Sequence, residues 1–315
     1  MARYILKRLL WMIPIVLGVA ILTFVLMNFT EGDPAYIILG STASEADVAA
    51  LREALGLNQP FFVRLFKYLG DVFFRFDLGT SYSTRLSVSG ELMYRLPKTL
   101  LLTIASLSIA IIVGIPLGVT AAVNQNKLGD RVSMVLSLLG VSMPNFWLAM
   151  LLVILFAVKL HWLPAMGSGG LKYYILPALS GATGTIASLA RQTRSSMLEV
   201  IRADYITTAR SKGVKERDVI YKHALPNALI PIITTIGSSF GIQLGGTIVL
   251  ETIFGIPGIG SYLANAEIYT LSLHDALPIY LLQLYHAGRR PGLRFRRSPY
   301  PGPVRREEGK VRWKR

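Results

Sequence analysis

Residues Leu100–Val123 read LLLTIASLSIAIIVGIPLGVTAAV, a run of 24 without one Asp, Glu, Lys, Arg or His. As a helix it would extend ~36 Å, more than the ~30 Å hydrocarbon core of a bilayer, so the run is read as a membrane span. The same reading along the chain finds four more charge-free runs: Leu9–Phe29, Val132–Val158, Tyr173–Ala190 and Ala228–Leu250. Tyr173–Ala190 is short, rich in Gly, Ser and Thr, and holds Pro177. Such a helix persists at membrane depth only if it packs against other helices or lines a wet cavity. Composition agrees, with 52% apolar and 16% charged residues and a mean hydropathy of +0.48, too oily for an ordinary soluble enzyme. The fold class expected is all-α: a polytopic transmembrane helical bundle with five clear spans.

The net charge of +15 suggests nucleic acid at first sight, but it is concentrated at one end. Residues 286–315 carry eleven Lys and Arg against two Glu, so this tail holds +9 and the rest of the chain +6. No nucleic-acid partner is expected, and membrane lipid is. Leu9–Phe29 is too long for a secretory apolar core of ~7–15 residues and continues into Asn28-Phe29-Thr30-Glu31, so it is read as a retained anchor. Arg3, Lys7 and Arg8 then fall on the same side as loop 191–224, which has eight basic against four acidic residues. The positive-inside rule makes that side, and the N-terminus, cytoplasmic. Segment 30–99 falls outside; within it Ala46–Leu57 suggests a helix, and Pro60–Phe76 an aromatic surface of mixed charge. Five spans would leave the basic tail outside as well, so a sixth is expected after Glu251. The best window, 271–289, holds seven Leu and Ile, but Asp275 and Arg289 alone cost about 5–7 kcal/mol on the insertion scale, so it should not insert by itself and the sixth span is read as missing or disrupted.

Loop 191–224 is the most informative segment. Met197, Ile201, Tyr205 and Ala209 recur every four residues, which predicts one helix with an apolar stripe and a charged back of Arg202, Arg210 and Lys212. Gly213 is its natural stop. Val219 and Ile220 begin a second short helix that Pro226 would close. A short helix with an apolar face between two spans either docks into a groove on a soluble partner or lies flat on the bilayer.

The spacing Ala209, Gly213, Leu225-Pro226 resembles the cytoplasmic coupling loop of ABC importer permeases, with Thr207 where that family has its leading Glu. Other stretches resemble the dipeptide/oligopeptide/nickel branch in its order. These include Gly32-Asp33-Pro34-Ala35, Leu55-Gly56-Leu57-Asn58-Gln59-Pro60, Asp77-Leu78-Gly79 and Arg95-Leu96-Pro97-Lys98-Thr99-Leu100. Next in order are Gly114-Ile115-Pro116-Leu117-Gly118, Pro144-Asn145-Phe146-Trp147-Leu148, Trp162-Leu163-Pro164 and Tyr205–Gly213, then Gly245-Gly246 through Glu251, Phe254 and Pro257-Gly258. The resemblance runs to about residue 270. It implies a permease subunit, not an enzyme, in a bacterial or archaeal inner membrane. It further implies a second homologous permease subunit, two ATP-binding subunits and an extracytoplasmic solute-binding protein. Tyr205, Thr207, Ala209, Gly213, Leu225 and Pro226 would carry the contact with an ATPase. Three regions are expected: 1–99, an N-terminal span with an extracytoplasmic segment; 100–270, the permease core; and 271–315, an atypical basic tail. Ser272–Ile279 in that tail resembles translated sequencing-adapter read-through, and the residues after Ile279 resemble the gene translated in a wrong frame.

Other motifs point away from catalysis. Gly237-Ser238-Ser239-Phe240-Gly241 matches a nucleophile pattern but sits inside a span, where Gly237, Gly241 and Gly245 form a small-residue ridge for helix packing. His161, His223, His274 and His286 show no metal spacing, the chain has no Cys, and it has no phosphate-binding loop. No cofactor is expected, and ATP hydrolysis falls to another polypeptide. Ser142, Asn145, Gln243, Thr234 and Thr235 either line a water-filled route or hydrogen-bond a neighbouring helix. Pro116 and Pro144 are expected to bend their helices. An ion-coupled secondary transporter is the alternative, but it needs ionisable residues inside the spans, and all five runs lack Asp, Glu, Lys and Arg.

Overall fold

The structure, a computed structural model, describes residues 2–29, 33–40, 42–81 and 84–269. The window 271–289, where the sixth span is read as missing or disrupted, the adapter-like octapeptide and the basic tail lie outside the described residues. All regular elements among the described residues are helical, and an isolated bridge pairs Thr80 with Ser87.

Helix α1 (Ala2–Phe29) contains the first charge-free run. Three shorter helices come next: α2 (Pro34–Leu39), α3 (Glu45–Ala54) and α4 (Phe61–Phe74). Asp33 and Ser44 cap α2 and α3 by accepting the N–H groups of Ala35 and Asp47, which satisfies donors that a first helical turn leaves orphaned. Arg52 of α3 binds Asp33 through Nε at 2.6 Å, tying the two helices together. The aromatic segment proves to be α4, and it lies along α1. Phe24 packs against Phe61 and Tyr68 with ring centroids 5.5 and 5.3 Å apart, while Phe73 and Phe74 share an apolar groove with Leu6, Leu10 and Ile13.

The core begins with α5 (Val88–Val123), 36 residues started by a Ser87 cap and running unbroken through Pro97 and Pro116. The expected single span Val132–Val158 is broken. It forms α6 (Leu128–Ser142) and α7 (Asn145–Leu152), bent by 97° at Met143-Pro144, with α7 continuing as a π-helical turn over Val153–Lys159. Proline removes a backbone donor and pushes the residue before it out of the helical region; Met143 sits at φ −83°, ψ 123°. Then come α8 (Lys172–Ile201), α9 (Asp204–Ser211), α10 (Glu216–Asp218), a π turn at Val219–Ala224, α11 (Leu225–Gly246), α12 (Ile248–Ile253) and α13 (Ile259–Tyr269). Among the described residues, three helical runs are long and apolar enough to cross a membrane, or four if the bent pair is one span. Helix α8 fails that test by composition, yet it is the centre of the bundle. It packs on α5, α6, α7 and α11 and buries Tyr174, Leu176, Ala178, Ala182, Ala187 and Leu189.

The α5–α8 contact is the largest between elements, and two glycines allow it. A Cβ on Gly114 would lie 2.9 Å from Ile186 O; one on Gly118 would lie 2.6 Å from Ala190 O and collide with Thr193. The ridge expected on α11 has a counterpart here, four residues apart on α5. On α11 itself Gly241 is buried and Gly237 and Gly245 are half-buried. Arg194 of α8 grips Asp130 of α6 with two bonds of 2.6 and 2.7 Å, and Asp130 also accepts Asn126 N–H.

Candidate functional site

Loop 191–224 is anchored where α5 and α8 end. Val119 and Ala122 of α5, Met197 of α8, Ile206 of α9, Val219, Ile220 and Ala224 of the π turn and Ala228 of α11 form one buried cluster. The loop is therefore a continuation of the bundle's core, fixed at its root to both central helices.

The single helix predicted through Met197–Gly213 is two helices. It stops at Ile201, Ala203 adopts an extended conformation (φ −72°, ψ 148°), and α9 restarts at Asp204. The break resets the helical register. The residues of α9 turned to the core are Ile206, fully buried, and Ala209, half-buried; Tyr205, expected in the stripe, is 47% exposed. Full burial of an isoleucine contributes about 2–3 kcal/mol, enough to hold a two-turn helix that would not persist alone. Thr207, Thr208, Arg210 and Ser211 are exposed along with Tyr205.

Gly213 ends α9 as the spacing predicts. It sits at φ +77°, its N–H bonds Arg210 O at 2.9 Å, and Val214 N–H reaches back to Ala209 O at 3.3 Å. These two bonds make a Schellman motif, with Val214 and Ala209 packed on the same cluster. A Cβ on Gly213 would meet nothing within 4 Å, so the glycine is required by its backbone angle and not by crowding. Arg210 then clamps Glu216 with two bonds, 2.7 and 3.1 Å, fixing α9 against α10. That hydrogen bonding holds the Glu216 carboxyl below its ordinary value against a smaller opposing effect of burial.

Pro226 does not close the second helix. The helical run continues from Glu216 through Pro226 to Gly246, because residues 219–224 widen into a π turn in which Leu225 N–H bonds Ile220 O, five residues back. The wider turn relieves the clash that a proline ring meets in an α-helix interior. Leu225 is half-buried on the cluster, and Pro226 is exposed. The six expected contact residues are thus brought to one end of the molecule, with Ala209 and Leu225 as roots and Tyr205, Thr207, Gly213 and Pro226 at the surface.

The expected pathway residues are dispersed. Gln243 of α11 donates to Thr185 Oγ1 of α8 at 2.9 Å, Ser142 bonds Leu138 O within α6, and Asn145 is exposed at the start of α7. Thr234 and Thr235 bond carbonyls four residues back on α11. Sequence reasoning misses the Arg210–Glu216 and Asp130–Arg194 pairs. The first joins residues six apart and is suggested by charge spacing, whereas the second joins residues 64 apart and has no local signal.

Comparison with known proteins identifies the family. Residues 114–278 match the family described as "Binding-protein-dependent transport system inner membrane component", and residues 1–103 match its N-terminal region. The chain is 41% identical over 307 residues to the glutathione transport system permease protein GsiC of Salmonella choleraesuis strain SC-B67, covering 94% of this chain and all of that one. It is 38% identical, with the same coverage, to the protein of that name in Escherichia coli strain K12. Among solved structures, the methionine ABC transporter MetNI in an inward-facing conformation shares the fold, with a TM-score of 0.50 and 18% identity over 62% of this chain and 93% of that one. The chain belongs to the inner-membrane components of binding-protein-dependent transport systems, in the dipeptide/oligopeptide/nickel permease family, and is a transport subunit and not an enzyme.

Proposed function

We propose that this chain is one of two homologous membrane subunits of an ATP-driven importer whose cargo is a short peptide of the glutathione class. The observation that carries the reading is α9: rooted through Ile206 on the ends of α5 and α8, it turns Tyr205, Thr207, Thr208 and Ser211 outward. Those exposed residues would seat in a groove on one of two separate ATP-binding subunits. When ATP closes that pair, the displacement enters the bundle through the buried cluster and reaches α5 and α8 together. The spans then pass from inward- to outward-open and accept cargo from an extracytoplasmic binding protein. ATP drives the change only by binding the two states with different affinity, a difference supplied by the partner.

The topology that fits has five spans: α1, α5, the bent α6–α7 pair, α8 and α11. Counting the bent pair as one span keeps the N-terminus and loop 191–224 on one side, and the basic residues of both make that side cytoplasmic. Residues 1–99 would form the N-terminal anchor with its extracytoplasmic helices, and 100–270 the permease core. Gly237, Gly241 and Gly245 serve helix packing. Ser142, Asn145 and Gln243 are candidates for the pathway lining. Peptide cargo is favoured over nickel by the glutathione systems in which the GsiC relatives are found.

The test is uptake of radiolabelled glutathione into proteoliposomes holding the assembled complex. Uptake should require both ATP and the binding protein. Uptake driven by an ion gradient in the absence of any ATPase would overturn the reading in favour of a secondary transporter.

A further inference from the structure

Glu251 is fully buried, and no Lys, Arg or His pairs with it among the described residues. The two cations in the neighbouring part of α5 are engaged elsewhere: Arg95 binds Glu91 at 2.8 Å and stacks over Tyr262, and Lys98 lies over Tyr94. A buried carboxylate is retained only if other groups replace water around it. Here Thr99 of α5 and Thr247, just before α12, donate to Oε1 at 2.7 and 2.9 Å, and Ser261 N–H of α13 donates to Oε2 at 2.8 Å. Thr99 Oγ1 also accepts Ile259 N–H at 2.9 Å.

Ile259 and Ser261 lie in the first turn of α13, whose N–H groups have no partner within their own helix. Glu251 and Thr99 together cap that turn from outside, and the positive end of the α13 dipole takes the place of a cation. The turn is shaped for this contact. A Cβ on Gly260 would lie 2.7 Å from Ile248 Cα and 3.0 Å from Glu251 Oε2, and one on Gly258 would collide with the carboxyl itself.

Thr99 sits on α5, the same continuous helix whose Val119 and Ala122 root the loop 191–224 cluster, about 30 Å away along the axis. We propose that Glu251 is a positioning residue for transport, a clasp that makes the α12–α13 turn ride on α5 so that movement entering at the coupling loop reaches the opposite mouth of the permease. This inference rests on the ATP-driven reading of the chain. Without the clasp, α5 would move and the turn would lag, leaving ATP turnover intact while import fails.

Three variants test it in the assembled transporter. Glu251→Gln keeps the size but sets an amide NH₂ or a weaker acceptor against Ser261 N–H. Thr99→Val removes both of that residue's bonds, and Thr99→Ser keeps them. In proteoliposomes, glutathione imported per ATP hydrolysed should fall roughly 5- to 10-fold in Glu251→Gln and Thr99→Val, with ATP hydrolysis within about twofold of the unaltered complex and Thr99→Ser restoring coupling. The chain has no cysteine, so spin labels at Met93→Cys on α5 and Thr252→Cys on α12, both exposed, report the clasp directly. Their distance distribution should be narrow in the unaltered and Thr99→Ser chains and broad in the other two. An equal loss of hydrolysis and import, or distributions that stay narrow in Glu251→Gln, would overturn the proposal. The distance arm needs neither nucleotide nor cargo, so a failed clasp is told apart from a failed transport reading, which would show as the absence of any ATPase partner.

Discussion

Replacing Gly118 by alanine tests the central packing of the bundle. The added Cβ would lie 2.6 Å from Ala190 O and 2.9 Å from Thr193 Cγ2, where ordinary contact begins at 3.4 Å, and would collide outright with Thr193 Cβ. The shortfalls are 0.8 and 0.5 Å, and the first is against backbone inside α8, which no rotamer change relieves. Overpacking of this kind costs about 1–3 kcal/mol, from which alanine's helix preference returns at most about 1 kcal/mol. Gly114→Ala, at 2.9 Å from Ile186 O, should cost less. Gly18→Ala in α1, with nothing within 4 Å, should be neutral or slightly stabilising. The assay is unfolding of the purified permease in mixed micelles by graded SDS, monitored by circular dichroism, with the three variants compared in one series. Adding Thr193→Ala to Gly118→Ala should recover only a small part of the loss, because it relieves the Cγ2 contact while the Cβ of residue 193 and the Ala190 carbonyl both remain. If Gly118→Ala is as stable as Gly18→Ala, the close α5–α8 approach is wrong and the route assigned to the coupling movement loses its stiffest part.

The same geometry sets further outcomes. Gly213→Ala meets open space and strains only the backbone angle, so it should cost about 1 kcal/mol and leave the ATPase contact measurable by co-purification. Asp130→Asn leaves Arg194 half-paired beside a nearly buried site and should cost about 3 kcal/mol in SDS unfolding, more than any surface charge change. Ile206→Ala should cost about 2–4 kcal/mol locally, seen as faster amide exchange confined to α9 and its junction with α10. The folded Glu216 carboxyl titrates below its unfolded value, so its pairing with Arg210 contributes above the unfolded value and is lost as pH falls through the folded one. Both groups are substantially exposed, so exchange in α9, corrected for its intrinsic pH dependence, should rise only modestly as pH falls below the ordinary carboxylate value.

The helical class and the positions of the apolar runs are legible because a bilayer forbids charge along a span, and charge-free stretches are visible in any single sequence. The stop at Gly213 is legible for a similarly local reason, since only a left-handed turn fits there. Features that depend on tertiary context are not. The break at Ala203 has no proline or glycine to announce it, so the four-residue repeat carries through it and puts Tyr205 inside where Ile206 belongs. Pro226 looks like a stop because the π turn that accommodates it is not written in any residue type. Pro144 does break its helix as its chemistry suggests, but a bend of 97° exceeds what the residue alone foretells. Asp130 with Arg194 and Glu251 with Thr99 join residues 64 and 152 apart, and pairing at that distance is set by the fold. In the sequence Glu251 is only one member of a family-like stretch; its structural mark is an acid that is itself fully buried, with buried Thr99 and Thr247 donating to it.

The most direct test uses the absence of cysteine. A single cysteine at Thr208, on the exposed side of α9, is treated with a short bifunctional reagent in membranes expressing the whole transporter, alongside a control cysteine at Thr252, exposed on α12. A coupling helix seated on an ATPase predicts a crosslinked species containing an ATP-binding subunit from Thr208 and none from Thr252, with the yield from Thr208 changing when ATP is added. Equal yields from the two positions, or a bundle that captures no nucleotide-binding partner at Thr208, would contradict it.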